Sequence, residues 1–310
     1  MAVVYTVDTD GVSGDYASLA LAIAAVPDPL GDNYTINCQA TTGVADTTLV
    51  NIGQALATFT LTINGQGMSS TLGLDAAKYR LVTADQGDEG VIDILATCDN
   101  GTVIINGMQI DSNPTTHGHG IKTLSGSTAI VWVTKTYIRI TKTGTYYNHG
   151  LSLGGGSLLK VRNCVLVMDG GAATVNQKGI YQGIAVNSYV YNCTLDGWYN
   201  AVHESSGTMA LRNCGAINSV SDPFLSVTTE QTNSATAPTF SSGYLLGAAD
   251  VTWKDQGTDL SGDANLAVTD DALGNARSAP YDIGADEYVA AGGAANYIPA
   301  IYYMARMRNQ

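Results

Sequence analysis

Gly150-Leu151 followed by Val161-Arg162-Asn163-Cys164, and then Gly179-Ile180 followed by Val190-Tyr191-Asn192-Cys193, state one two-part phrase twice. Upstream the phrase reads Gly120-Ile121 and Val133-Thr134-Lys135-Thr136. Downstream it degenerates to Ala201-Val202 and Leu211-Arg212-Asn213-Cys214. The first part returns after 30, 29 and 22 residues and the second after 28, 29 and 21. Two landmarks that advance together mark a stacked structural unit.

Each unit holds short β-branched runs such as Ala129-Ile130-Val131-Trp132-Val133 and Tyr137-Ile138-Arg139-Ile140, separated by Gly, Ser, Asn and Asp. No helical periodicity longer than one turn intervenes, and a Leu-x-x-Leu-x-Leu frame is absent. The expectation is an all-β chain, a right-handed parallel β-helix solenoid with two or three short strands per coil and insertions at the turns. Asn163, Asn192 and Asn213 suit a turn that needs φ > 0, and their amides are expected to bond from coil to coil. Asn64 and Asn106 sit in similar phrases, so the ladder is expected to continue towards the N-terminus. Cys164, Cys193 and Cys214 should line up inside the stack as small apolar fillers. With Cys38 and Cys98 they make an odd total without close paired spacing, so neither a metal nor any other cofactor is expected.

Tyr16–Val26 reads as a helix behind Ser13-Gly14-Asp15 and stops at Pro27, suited to capping the first coil. Val7-Asp8-Thr9-Asp10-Gly11 through Asp15-Tyr16-Ala17-Ser18-Leu19 resembles the opening of pectate-lyase-like right-handed β-helix proteins. Arg277-Ser278-Ala279-Pro280-Tyr281-Asp282-Ile283-Gly284-Ala285-Asp286-Glu287-Tyr288 resembles the terminal signature of the same superfamily. The expected organisation is a strand and capping helix over 1–30, the β-helix over 31–288, and a linker with a C-terminal arm over 289–310. Pro223, Pro238 and the loss of the Asn-Cys frame suggest irregular final coils or an excursion between 223 and 276.

Charged residues make up 13% of the chain and hydrophobic ones 45%, so polarity comes from Thr, Ser, Asn and Gly on a chain that can bury a large core. A net charge of −13 argues against nucleic acid as a partner, and no apolar run suggests a membrane partner. Met1 leads into sequence that reads as folded, without a signal core, so any export is expected to use a route other than a signal sequence.

Enzymes of this fold class that act on polysaccharides need opposed carboxylates, or a cation-binding carboxylate cluster with a basic residue. Asp196, His203, Glu204 and Asp222, with Asp169, are the weak catalytic candidates, although a solvated turn on a polar surface is the favoured reading, because turns select such residues anyway. His117-Gly118-His119-Gly120 has the look of a ligand pair, but His149-Gly150 and Lys178-Gly179 take its place in later coils, which favours a turn-forming role. Asp85, Asp88 and Glu89 form an acidic stretch, expected as a surface loop without an ion. Trp198, Tyr199, Tyr146 and Tyr147 are candidates for stacking on glycans.

Beyond Tyr288, a Gly/Ala-rich connector leads to Tyr297, Ile298, Ile301, Tyr302, Tyr303, Met304, Arg306 and Arg308. An aromatic-Met-Arg segment behind a linker has the composition of an interface anchor or of a cap over the last coil. A β-helix with few charges and such an arm resembles bacteriophage virion proteins, namely capsid decoration, fibre and tailspike β-helices. That resemblance implies a non-enzymatic homotrimer on a virion, with the major capsid protein or another virion protein as partner and glycans as possible ligands. Its alternative is a polysaccharide lyase or glycoside hydrolase of tailspike type.

Overall fold

The computed structural model describes residues 3–10, 14–83, 87–141, 144–155, 158–184 and 186–290. Its strands pair in parallel with the equivalent strand one coil away, and among the described residues they build sheets of nine, six and seven strands. One coil reads Thr102–Asn106 in the nine-stranded sheet, Gln109–Ser112 in the six-stranded sheet and Gly118–Thr123 in the seven-stranded sheet. The expected parallel β-helix is the architecture observed. No described helix is long and apolar enough to cross a membrane.

The repeated phrase now has a physical meaning. A Cβ on Gly120 would meet Ile138 at 2.5 Å, one on Gly150 would meet Leu166 at 2.7 Å, and one on Gly179 would meet Leu195 at 2.8 Å. Each glycine therefore lets the chain turn in over the core, and the aliphatic residue after it fills that core. Trp198 uses the space below this row: it is fully buried and its Nε1 donates to the Leu166 carbonyl at 3.0 Å. That placement corrects its expected role as a glycan-stacking residue. Cys164, Cys193 and Cys214 are buried free thiols whose Sγ atoms donate to backbone carbonyls, and burial pushes the Cys164 and Cys193 thiols far up.

The asparagine ladder needs a correction. Asn163, Asn192 and Asn213 sit at φ 55°, 52° and 49°, as a left-handed corner requires, and Lys135 takes the same conformation at φ 51°. Asn64 and Asn106 pair with Thr134, one residue before that corner. The amides of Asn37, Asn64 and Asn106 form the coil-to-coil ladder at 3.1 Å. Asn163 and Asn213 instead donate to the carbonyls of Asp270 (2.8 Å) and Thr258 (2.7 Å), because the left-handed backbone turns them away from the strand row.

Those carbonyls belong to a strap. The coils end at Thr229–Gln231, and residues 232–290 return along the corner between the nine- and six-stranded sheets, so the coils stop well before the expected residue 288. The strap is tied by Asp263 to Arg212, by Asp270 to Lys135 at 2.7 Å, and by Ala272 and Leu273 to Met68 and Leu72. The terminal signature locks it. Arg277 is buried and donates to the carbonyls of Asp270, Asp282 and Gly284 and to Glu287 at 3.1 Å.

At the other end the helix is shorter than expected, Leu19–Ala25, and Ser18 caps it by accepting from the Leu21 amide at 3.3 Å. Tyr16 is not helical because it bridges to Val7, whose strand (Val3–Asp8) already pairs with Tyr34–Gln39. Leu19, Ala22 and Ile23 are buried, as a cap over the first coil requires. The expected arm over 297–308 lies outside the described residues.

Arg277→Met leaves Glu287 buried without its cation and is expected to cost about 3–5 kcal/mol. Amide exchange should then rise over 258–288 before it rises in the coils. Trp198→Ala opens a cavity beneath the glycine row and should cost about 3–5 kcal/mol by denaturant titration.

Candidate functional site on the seven-stranded sheet

The catalytic candidates do not meet on one face. Asp169 and Asp196 lie on the six-stranded sheet, whereas His203 and Glu204 lie on the seven-stranded one. Asp196 accepts from Tyr244 Oη at 2.8 Å and Asn218 Nδ2 at 2.7 Å, which ties the strap. Glu204 is buried and accepts from the amides of Met209 (3.1 Å) and Thr228 (2.7 Å) and from Thr228 Oγ1 (2.6 Å). Asp222 accepts from the Phe224 amide at 3.1 Å in its own turn. Alternation sends His203 and Glu204 to opposite faces of one strand, so adjacency in sequence does not make them a pair.

The seven-stranded sheet instead carries two outward rows that parallel register sets side by side. One row is Gly90, His119, His149, Lys178 and Asn200. The other is Asp93, Lys122, Ser152, Tyr181 and His203. The histidines expected in turns therefore begin strands. The signal was in the sequence: the first row stands just before each Gly landmark, and Lys122, Ser152, Tyr181 and His203 each stand two residues after one.

The rings form a continuous column. Centroids lie 4.9 Å apart for His119–His149, 4.8 Å for His149–Tyr181 and 5.5 Å for Tyr181–His203. The connections into this sheet (113–117, 144–147 and 170–176) rise beside it. There His117 stacks on Tyr147 at 5.5 Å and meets Tyr146 at 5.2 Å. Tyr146 and Tyr147 are exposed, while His119 and His149 form the buried floor. Tyr199, also expected to stack on glycans, packs against the core instead.

Charge gathers at the N-terminal end of the column. Asp88 lies 3.5 Å from His119 Nε2 and 3.5 Å from Lys122 Nζ. The His119 contact, helped by Lys122, holds the Asp88 carboxyl far below the usual range. Asp93 is buried beside it, accepts from the Gly90 amide at 2.9 Å, and is pushed up to about 6 by burial. Burial drives His149 well below the ordinary imidazole value, with His119 and Lys178 adding to the effect. Its Nδ1 lies 3.2 Å from Ser152 Oγ and its Nε2 is buried without a partner. No group of three metal-ligating side chains occurs among the described residues, and Asp85 lies outside them.

Two opposing pH effects follow. His149 stays neutral when folded, so stability falls as pH drops through the unfolded histidine value of about 6.5. The raised Asp93 carboxyl stabilises at low pH, and that contribution is lost as pH rises through about 6. Urea midpoints measured between about pH 4 and pH 8 should fall less steeply below about pH 6.5 in His149→Gln and more steeply below about pH 6 in Asp93→Asn.

No family model matches the chain, and no curated protein matches it. Among solved structures, the crystal structure of pectate lyase Pel9A is similar, with 12% identity, 93% of this chain and 97% of that chain covered, and a TM-score of 0.41.

Proposed function

We propose that this protein is a non-enzymatic β-helix that holds an extended polysaccharide along its seven-stranded sheet. In this reading it is displayed on a bacteriophage particle as a trimeric decoration or fibre protein, with residues 289–310 as the anchor. The ring column supports the binding half. Above its buried His119 and His149 floor the column presents the exposed Tyr146 and Tyr147 and the half-buried Tyr181 and His203, and sugar faces stack on such exposed rings. The anchoring half is supported by the aromatic and basic composition of 297–308 behind a Gly/Ala connector.

The tailspike-type enzyme is the second reading, and one observation favours it. Asp88 and Asp93 neighbour each other with ionisation pushed in opposite directions, the pattern that lets one carboxyl give a proton while another stays charged.

Bacterial polysaccharides arrayed against the purified protein, with their products sized afterwards, separate the two readings. Binding without shortening of the chains, weakened about tenfold or more by Tyr147→Ala, is the expected result. Depolymerisation abolished by Asp93→Asn would establish the enzyme instead. Truncation after Tyr288 is expected to abolish both trimer and particle attachment by light scattering and co-sedimentation.

A further inference from the structure

We propose that the nine-stranded sheet carries a second, separate binding face, which takes an acidic polysaccharide with Lys160 meeting its anionic groups. Register places Trp132, Lys160 and Tyr189 in one outward row on successive coils. The Lys160 ammonium sits 4.7 Å from the Trp132 ring centroid and 5.9 Å from that of Tyr189, held between two ring faces. The strap walls one side of this row, since Leu260, Leu266 and Val268 pack against Trp132 and Tyr189. Trp132, Lys160 and Tyr189 are left half-buried beside it.

Charge identifies the occupant. Every other described lysine and arginine donates to a carboxylate or to a backbone carbonyl. Lys160 alone among them has neither, on a chain of net charge −13 that has acids to spare. Two ring faces fix the ammonium without neutralising it, so its hydrogen-bonding capacity remains for a ligand. A pyranose chain bearing carboxylates or sulfates supplies the anion to Lys160 and apolar C–H surface to the exposed parts of the rings. The hydroxyls of a neutral glycan accept from the ammonium but leave its charge uncompensated.

Tryptophan fluorescence reads this face selectively, because Trp198 and Trp253 are buried whereas Trp132 is partly exposed. The full-length protein is titrated with oligogalacturonate, a sulfated galactan and neutral dextran, and acrylamide quenching is followed. One or both acidic probes should shield Trp132, and the one that does so names the anionic group. Lys160→Met should weaken that protection about tenfold or more, added salt should weaken it too, and Tyr147→Ala should leave it unchanged. Equal protection by dextran, no protection by either acidic probe, or a Lys160→Met variant that behaves as wild type would overturn the proposal. So would shielding that tracks protein concentration alone, which would mean that a second copy covers this face. Because Tyr147 stands in the connection that enters the other sheet, loss of one site is distinguishable from loss of the other.

Discussion

Parallel pairing between equivalent strands one coil apart is the constraint from which the rest follows. It places each residue about 4.8 Å from its counterpart, so a residue type chosen once becomes a row. Inside, the rows are aliphatic, with a cysteine row at the corner and a glycine row that leaves room for Trp198. Outside, like charges at that spacing repel. The outer rows accordingly alternate sign or go neutral: Asp93 is followed by Lys122, Asp111 by Arg139, and the stacked imidazoles of His119 and His149 are held uncharged by burial.

The strap divides the solenoid into used and free surface. It occupies the corner between the nine- and six-stranded sheets, consuming Asn163, Asn213, Asp196, Lys135 and Arg212 as attachment points. What it leaves open is the seven-stranded sheet, at whose entry the exposed Tyr146 and Tyr147 stand, and the Trp132–Lys160–Tyr189 row next to its own edge. The buried Arg277–Glu287 pair explains why the terminal signature has its composition: a turn that closes a strap needs its carbonyls and one carboxylate gathered by a single guanidinium.

The stacking was legible because two landmarks recur in step, and the left-handed corner was legible because asparagine tolerates it. The amide ladder was misplaced by one residue because Asn64 and Asn163 look alike in sequence, while register alone separates a strand-end residue from a corner residue. The acidic candidates failed for a related reason. Spacing along the chain brought Asp196, His203, Glu204 and Asp222 together, but the coil distributes neighbouring turns over different sheets, and backbone amides claim Glu204 and Asp222. The ring column was written in the sequence at fixed offsets from the glycines. It was passed over because its members differ chemically from coil to coil, and only the register shows that they share one row. The strap between 232 and 288 carries no repeat, so its path depends on contacts with residues distant in sequence that no local pattern encodes.

The most direct test of the account is a crystal structure of the protein soaked with an oligosaccharide from the polysaccharide it selects. The account predicts a sugar chain lying parallel to the stack axis on the seven-stranded sheet, in contact with Tyr147 and Tyr181. A chain bound across the six-stranded sheet, or one running perpendicular to the coils and away from the ring column, would contradict it.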